Sequence, residues 1–439
     1  MDDRRFRRLA LLLTLAGIAQ ALLYLPFVTP HTTDDTPSYT ADAHALLHGS
    51  YSIPLGPTDI TGLTFPREVW DLKQQDTYRT PGYPAFLAVL GGGAGDVSRT
   101  LVLLAQALLV GGAIFPCALW ARRLFGARAG LLGAAAYALD PYSKRYGSLV
   151  LSEAPTGFLL MAAVYLFVRA WQERALRWWA ACGVTCGVLT LVRPIFGMTI
   201  PLVGLASLAR RRAPRAAVGA AAVFGACALL LVAPWLARTS AIIGRPALQN
   251  FGVGWGLLLA AHGEGLNHPA TEVAATPGFI RDFNSVHAFA PSAAELRRSS
   301  DRYAKYLSKA DEHQRTLAVR LFKHRLRRDP GRVLFDYVYR AYFLWMIHED
   351  WLQPGGAATA LLRTIDWIVL ALTIAGSVLA IRRGGVPALV LVLLLALYTG
   401  LSALGHVEAR YTIPLRGISL PFAVLPLLAL YDRRRAAAG

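Results

Sequence analysis

The chain has 439 residues, of which 55% are hydrophobic and 16% are charged, and its formal net charge is +18. Apolar runs of about 16–22 residues recur along most of the chain, which excludes an ordinary soluble protein and is typical of membrane-spanning helices. The positive charge does not require a nucleic acid partner, because loop topology and anionic lipid headgroups explain it.

About ten apolar runs are long enough to be membrane-spanning helices. The predicted spans are residues 9–28, 100–121, 129–142, 151–170, 178–192, 195–209, 216–236, 361–381, 386–404 and 412–431. The alternative for the first run is a signal peptide, but its apolar part is too long and no Ala-x-Ala site follows. The sequence therefore predicts an all-α, polytopic membrane protein with a single membrane domain over residues 1–439.

Arginines concentrate in every second short loop, which sets the orientation. They are Arg4, Arg5, Arg7 and Arg8; Arg122, Arg123 and Arg128; Arg169, Arg174 and Arg177; Arg210, Arg211, Arg212 and Arg215; Arg382 and Arg383; and Arg433, Arg434 and Arg435. Short cytoplasmic loops are enriched in Lys and Arg. We therefore expect both termini to be cytoplasmic and the intervening loops to face outward.

Two long segments, residues 29–99 and 238–360, lie outside in this topology. In the first we expect an interfacial helix over residues 84–90. In the second we expect loop structure up to Pro291 and amphipathic helices over residues 293–351. Long loops cross the membrane regardless of charge, so their basic residues are compatible with an external cap.

Two adjacent carboxylates, Asp34 and Asp35, follow the first span. Tyr39 lies four residues after Asp35. Neighbouring carboxylates repel, so one tends to hold its proton more tightly unless a cation compensates, and such tuning suits a general base. Their position at the end of a span suits chemistry on a donor dissolved in the membrane. The alternative is a pair of solvated acids in a loop.

Several cations lie in outward turns, against the bias toward cytoplasmic positive charge. A bound anionic phosphate explains them, since arginine grips phosphate in a bidentate manner. Snorkelling from helix ends is the alternative for any single one. The candidates for phosphate binding are Arg79, Lys144, Arg145, Arg193 and Arg410, and further pocket candidates are Tyr39, Tyr83, Glu153, Arg238 and Glu408. Glu153 lies just inside a span, where an acid must be paired or face a cavity.

The sequence predicts no definite cofactor. Cys117, Cys182, Cys186 and Cys227 all fall inside predicted spans, which gives no disulfide framework, and we interpret Cys182 and Cys186 as packing residues. His406 and Glu408 are two candidate metal ligands, but zinc sites normally use three or four. A divalent metal is left open.

Six stretches, in this order along the chain, resemble the protein mannosyltransferase-like and aminoarabinose transferase-like branch of the GT-C glycosyltransferases, a GT39-like family. They are residues 35–39 with Ala41, 45–47, Gly49 and Tyr51; 79–84; 151–153; 191–194; 234–235 with 244–246; and 408–411 before Pro414.

The resemblance implies an α-helical GT-C fold and a polyprenyl-phosphate sugar donor. It further implies transfer to an acceptor hydroxyl, with inversion, at the outer face of a bacterial plasma membrane. Asp35 matches the family's catalytic acid by position and would be the general base. Arg79 matches a basic residue that faces the donor phosphate, and Arg410 would lie near the same pocket. Tyr78 stands where some relatives have an acidic metal ligand, so zinc is not implied.

The sugar is not identified, and the acceptor is a cell-envelope glycan, a lipid or a protein. A separate soluble C-terminal domain, present in many relatives, is not found here, which weakens the case for a protein acceptor.

Two other functions fit a polytopic membrane protein. A transporter or flippase of lipid-linked sugars would show repeated halves, broken helices and charges near the membrane midplane. Here the charges lie at helix ends and the halves do not match, which favours the transferase. A non-catalytic scaffold is the third interpretation, and it would tolerate Asp35→Asn.

Overall fold

The computed structural model describes residues 1–28, 32–91, 99–209, 214–264, 270–347 and 356–438. In this part of the chain most residues are helical. The α-helices are α1 Asp3–Tyr24, α2 Thr36–Leu47, α3 Gly82–Val89, α4 Arg99–Gly112, α5 Ile114–Phe125, α6 Ala127–Leu139, α7 Pro141–Gly147, α8 Glu153–Glu173, α9 Leu176–Val192, α10 Thr199–Leu208, α11 Pro214–Ile243, α12 Val253–His262, α13 Ala270–Ala274, α14 Pro277–Asn284, α15 Ala293–Arg298, α16 Arg302–Arg328, α17 Pro330–Phe343, α18 Ala357–Ala403 and α19 Arg416–Ala438.

Short elements complete the described fold. Two strands, β1 Ser52–Pro54 and β2 Lys73–Gln75, pair antiparallel with Ser52 opposite Gln75. Single 3₁₀ turns cover Leu25–Phe27, Arg67–Val69, Pro194–Met198, Ser285–Phe289 and Ala409–Leu415. Arg210, Arg211, Arg212 and the end of the stretch 293–351 lie outside the described residues.

The predicted class, an all-α polytopic membrane protein, is confirmed. Among the described residues, six helical stretches are long and apolar enough to cross a membrane: Asp3–Phe27, Arg99–Phe125, Glu153–Glu173, Pro214–Ile243, Thr359–Ala403 and Ala409–Ala437. The predicted spans 129–142, 178–192 and 195–209 form shorter apolar helices, Ala127–Leu139, Leu176–Val192 and Pro194–Leu208.

The predicted spans 361–381 and 386–404 are the two arms of α18, which breaks at Gly385. The backbone there has φ 58°, a left-handed conformation that glycine adopts without a Cβ clash. In one arm Thr373 donates a hydrogen bond to the carbonyl of Ser419, and in the other Tyr398 donates one to the carbonyl of Tyr411. Both arms therefore pack along the C-terminal membrane segment, and the break separates two spans.

Four of the predicted arginine-rich segments, those around Asp3, Arg122, Glu173 and Asp432, meet at one end of the helices, here called the arginine-rich end. Three ion pairs join these segments there: Arg122–Asp3 at 2.6 Å, Arg123–Glu173 at 2.8 Å and Arg128–Asp432 at 3.4 Å. The opposite end carries residues 32–91, 244–264 and 270–347 and is here called the loop-rich end. This separation matches the alternation of arginine-rich loops in the sequence.

Small residues let the membrane helices approach closely. Gly183 and Gly187 of α9 lie against the main chain of α11, at Phe224 and Ala228, where an added Cβ would collide with a carbonyl oxygen. Cys182 and Cys186 are buried on the same helix, as expected of packing residues.

The two segments at the loop-rich end share one hydrophobic cluster. Its buried members include Leu55, Phe65 and Val69 from the first segment and Phe251, Leu296 and Tyr306 from the second. The expectation of loop structure up to Pro291 is wrong, because α12, α13 and α14 form there. Glycine suggested a loop in this stretch, but Gly254 instead lets α12 pack against the main chain of Asp311 in α16.

Candidate active site

The carboxylate of Asp35 forms ion pairs with two arginines at the loop-rich end. Asp35 directly precedes α2, beside the end of the first membrane helix. Its Oδ1 accepts a hydrogen bond from Arg79 Nη2 at 2.5 Å, and its Oδ2 accepts one from Arg410 Nη2 at 3.0 Å. These partners lie 44 and 375 residues away in the sequence, so the tertiary fold creates the site.

Arg79 is fixed on every side of its guanidinium group. Its Nε donates to Ser38 Oγ at 3.1 Å and its Nη1 donates to Tyr39 Oη at 3.3 Å. The rings of Tyr39 and Tyr78 each lie 4.4 Å from the guanidinium carbon, a cation–π arrangement. This arrangement presents Arg79 in one orientation toward Asp35.

The turn that carries Arg79 packs tightly on the end of α9. A Cβ added at Gly82 would lie 2.5 to 2.7 Å from main-chain atoms of Leu191 and Val192. The absence of a side chain at Gly82 therefore permits this close approach. The next residue after α9 is Arg193, so this contact brings a further arginine to the same end.

Arg193 pairs with Glu153 at the start of α8. The Arg193 Nη1 to Glu153 Oε1 distance is 3.1 Å, and the two side chains are 15% and 4% exposed. The guanidinium group of Arg193 also lies over the ring of Tyr411, 5.3 Å from its centroid. Glu153 is thus paired, as its position in a membrane helix requires.

Arg410 is held by a second carboxylate besides Asp35. Its Nε pairs with Glu408 Oε2, and Tyr411 Oη donates to Glu408 Oε1 at 3.1 Å. His406 Nε2 lies 3.9 Å from that oxygen, and His406 Nδ1 lies 2.8 Å from Glu264 Oε1. We define the charged cluster as Asp35, Arg79, Glu153, Arg193, Glu264, His406, Glu408 and Arg410.

The surroundings of Asp35 make its carboxylate a weak base in this arrangement. Burial raises the pKa of Asp35, but the guanidinium groups of Arg79 and Arg410 lower it by a larger amount. The pKa of Asp35 therefore lies below its usual value. Asp35 is therefore the case in which cations compensate, and its proton affinity is not raised.

Asp42 and Asp76, which the sequence analysis did not single out, behave differently. Both residues are buried near the Arg79 turn, and burial together with the Asp76 carboxylate raises the pKa of Asp42 well above its usual value. Asp42 therefore holds its proton more tightly than an ordinary aspartate. The structure identifies Asp42 and Asp76 as neighbours of the site, because both lie beside the Arg79 turn. The sequence around them contains no distinguishing motif.

Three predicted residues lie apart from the charged cluster. Asp34 is exposed and forms no ion pair with any described residue. Lys144 is buried and its Nζ donates to the carbonyls of Tyr137 and Ala138 at the end of α6. Arg145 also has no ion pair within the described part of the chain.

Two further predicted pocket residues support the fold around the cluster. Arg238, inside α11, donates to the main-chain oxygens of Asp76 and Tyr51 at 2.9 and 3.1 Å. Tyr83 is fully buried and donates to Gln106 Oε1 at 2.8 Å. Their side chains hold the first segment in place, and these hydrogen bonds go to residues other than Asp35.

Two contributors to the site, Ser38 and Glu264, were missed by sequence reasoning for different reasons. Ser38 is three residues after Asp35 on a helix, a spacing that places both side chains on one face and could have been recognised. Glu264 contacts His406 across 142 residues, and no local pattern signals that contact.

The arrangement does not match a metal site. Both oxygens of Asp35 accept hydrogen bonds from guanidinium groups. Within the ranges that the structure describes, no group of three or more His, Cys, Asp or Glu side chains is placed to hold a metal ion. The divalent metal stays an open prediction, and no step below depends on one.

The sequence of residues 79–237 matches the family described as dolichyl-phosphate-mannose-protein mannosyltransferase. The match covers less than half of the chain and includes Arg79, Glu153 and Arg193. Among curated protein sequences, none matches this chain closely enough to count as a relative.

Solved structures give a match over the whole chain. The apo oligosaccharyltransferase of Archaeoglobus fulgidus aligns with 100% of this chain and 52% of its own, at 13% identity and a TM-score of 0.55. The oligosaccharyltransferase AglB of the same organism, in complex with an inhibitory peptide and a dolichol-phosphate, aligns with 98% of this chain and 52% of its own, at 14% identity and a TM-score of 0.52. The chain spans about half the length of these structures.

ArnT from Cupriavidus metallidurans bound to undecaprenyl phosphate covers 92% of this chain and 77% of its own, at 15% identity and a TM-score of 0.39, an overlap too loose to add to the argument. The oligosaccharyltransferase likeness establishes the fold. The family match over residues 79–237 and that fold agree with the predicted resemblance to the GT-C glycosyltransferases.

Proposed function

We propose that this protein is an integral-membrane glycosyltransferase that moves a sugar from a polyprenyl-phosphate donor to an acceptor hydroxyl, with Asp35 as the base. The observation that carries the proposal is the Asp35 carboxylate bridged by Arg79 and Arg410 beside the end of the first membrane helix. The mannosyltransferase match supports it, since residues 79–237 contain one of the two arginines.

Donor binding would change the partners of the two arginines. Guanidinium groups bind phosphate oxygens in the same bidentate manner as carboxylates. A donor phosphate would therefore compete with Asp35 for Arg79 and Arg410. As these cations turn to the phosphate, the pKa of Asp35 rises toward its usual value, and its carboxylate becomes a better base.

In the transfer step, Asp35 takes the proton of the acceptor hydroxyl as that oxygen attacks the anomeric carbon of the sugar. The bond between the anomeric carbon and the phosphate oxygen breaks, and its electron pair leaves on the phosphate. The products are the glycosylated acceptor and the polyprenyl phosphate. Attack opposite the leaving group inverts the anomeric configuration, and Arg79 and Arg410 stabilise the charge that develops on the phosphate.

The proposed donor and location have independent support. AglB, whose fold this chain shares, was solved with a dolichol-phosphate, which is a polyprenyl-type phosphate. The arginines of the short loops gather at the end opposite Asp35, which under the positive-inside rule is cytoplasmic. We place the site on the outer face of a bacterial plasma membrane, with both termini cytoplasmic and with a glycan, lipid or protein of the cell envelope as acceptor.

Paired substitutions of the two adjacent acids test the proposal. Membranes containing the wild type, Asp35→Asn or Asp34→Asn are supplied with a panel of labelled polyprenyl-phosphate sugars, and sugar transfer is measured. We expect Asp35→Asn to lower transfer at least about a hundredfold, as for loss of a general base, and Asp34→Asn to retain it. Equal transfer by both variants would exclude Asp35 as the base. Labelled lipid that crosses the bilayer without any transfer would favour the transporter.

A further inference from the structure

Helix α17 of the cap has its charged residues inside and apolar residues outside. Asp336 and Arg340 are buried, whereas Leu334, Phe335 and Val338 are 62%, 46% and 55% exposed. At about 100° per residue these three apolar side chains share one face of the helix, opposite the two buried charges. An exposed apolar face of this kind marks a surface that contacts a partner or a membrane.

The buried face of α17 is held by defined polar contacts. Arg325 Nη2 and Arg332 Nε pair with the two carboxylate oxygens of Asp336 at 2.6 and 2.9 Å. Arg340 Nε donates to the main-chain oxygen of Ala403 at 2.8 Å. These contacts fix the rotation of α17 about its own axis, so the apolar face is turned outward.

The contacts of α17 with α18 place this face at the boundary of the membrane. Ala403 is the last residue of α18, and Tyr337 Oη donates to the carbonyl of Gly400, one turn earlier, at 3.2 Å. In the other arm of α18, the ring of Trp367 lies against that of Tyr342, with 4.8 Å between centroids. Tyrosine and tryptophan are enriched where membrane helices meet water.

The apolar face of α17 also borders a lipid-facing surface of α18. Leu397, Leu401 and Leu404 are 42%, 49% and 48% exposed along the second arm of α18 and just after its end. By helical spacing, Gly400 lies on the face next to this stripe. Because α17 contacts the arm at Gly400, its apolar face and the stripe of leucines border the same lipid.

Four exposed cations lie on the last turns of α16, directly before α17. They are Arg320, Lys323, Arg327 and Arg328. None of them forms an ion pair with any described residue. Residues 319–340 contain seven Lys and Arg residues but only two acids, Asp329 and Asp336. Cations beside an apolar face are typical of helices that lie on an anionic membrane surface.

We infer that residues 319–340 form a docking surface for anionic phospholipids of the membrane leaflet at the loop-rich end. The apolar face of α17 contacts the acyl chains, and the four cations of α16 bind the phosphates of the headgroups. This lipid-docking surface is separate from the Asp35 site and does not depend on the proposed function. It holds the cap against the membrane, because α16 also carries Tyr306 of the hydrophobic cluster that joins the two external segments.

Fluorescence quenching by nitroxide-labelled lipids tests both parts of the inference. Bimane is attached to the variant Val338→Cys in phosphatidylcholine nanodiscs that each hold one protein chain. The discs contain an increasing fraction of phosphatidylcholine or phosphatidylglycerol with a nitroxide on the acyl chain. The protein without this substitution, whose four cysteines lie in membrane helices, gives the background. We expect both lipids to quench, with half-maximal quenching at about fivefold lower fraction of phosphatidylglycerol, since a cation near the surface attracts anionic lipid.

Two sets of four substitutions to glutamine separate the lipid-docking surface from the overall charge of the cap. The first set replaces the four cations at the end of α16. The matched control replaces four exposed cations of α15 and the first half of α16, which are Arg298, Arg302, Lys305 and Lys309. We expect the first set to abolish the preference for phosphatidylglycerol and the control set to retain it.

Three results would overturn the inference. Quenching by neither lipid would show that the apolar face lies away from the acyl chains and is left to a protein partner. Equal quenching by the two lipids would remove the anionic headgroup as the ligand. Loss of the preference in both sets would assign it to overall charge. Since no sugar transfer is measured, each of these results leaves the proposed function intact.

Discussion

Both ends of the membrane helices carry arginine–carboxylate pairs, but the two ends are built differently. At the arginine-rich end, Arg128 and Asp432 pair at 3.4 Å with side chains 63% and 56% exposed. At the loop-rich end, Arg416 and Asp140 pair at 2.7 Å with side chains 4% and 1% exposed. Exposed pairs contribute at most about 1 kcal/mol, whereas breaking a buried pair costs roughly 3–5 kcal/mol.

The difference separates two uses of the same residue type. At the arginine-rich end the number and sign of the charges suffice to set topology, and individual partners are exchangeable. At the loop-rich end the guanidinium groups of the charged cluster have defined acceptors, such as Asp35 and Ser38 for Arg79. Substitutions at the two ends should therefore differ sharply in effect.

The largest difference is expected in donor binding. Arg79→Ala should weaken binding of undecaprenyl phosphate about a hundredfold, since truncating one partner of a buried, hydrogen-bonded charge pair costs roughly 2–5 kcal/mol. Arg128→Ala is the matched control, and its affinity should remain that of the wild type. A comparable loss in both variants would mean that the arginines act through overall charge and would remove the distinction between the two ends.

Stability should show the same contrast. Asp140 accepts hydrogen bonds from Arg416 Nε and Nη2 and from Ser143, so Asp140→Asn removes the carboxylate that binds a buried guanidinium. We expect it to lower the free energy of unfolding by about 3 kcal/mol, against less than about 1 kcal/mol for Asp432→Asn. Thermal unfolding in detergent measures both, and equal melting temperatures for the two variants would contradict the contrast.

The smallest effect concerns Lys144, which caps the end of α6 at the loop-rich end. Burial lowers the pKa of Lys144 to about 8 from an unfolded value of 10.5. Between these values the unfolded chain binds more protons, so this group makes stability rise with pH from about 8 to 10.5. Lys144→Met should lose that rise, as measured by melting temperature relative to the wild type across the same range. An identical pH profile in both proteins would show that Lys144 titrates normally.

The membrane architecture could be predicted from the sequence because long apolar runs and arginine-rich loops are local signals. The same signals failed where helices pack against each other in the cap. There α12 looked like a loop, because its glycines serve close packing, Gly254 on α16 and Gly256 against His406.

The candidate site was only partly predictable. Asp35 and Arg79 were expected both from their positions and from the resemblance to a family, and the two side chains form an ion pair in the structure. The pairing of His406 with Glu264 depends on tertiary contacts between distant segments, which one sequence does not reveal. Lys144 lies in the turn where a phosphate-binding cation was expected. Its Nζ instead donates hydrogen bonds to helix carbonyls, and the residue lies apart from the charged cluster.

The central claim is that Asp35 and the donor phosphate compete for the same arginines, and one binding measurement tests it most directly. Undecaprenyl phosphate affinity is compared for the wild type, Asp35→Asn and Asp34→Asn, which remove the same charge at adjacent positions. We predict that Asp35→Asn binds the lipid phosphate more tightly than either other protein although it transfers no sugar. Weaker or unchanged binding by Asp35→Asn would contradict the competition and the role of Asp35 that depends on it.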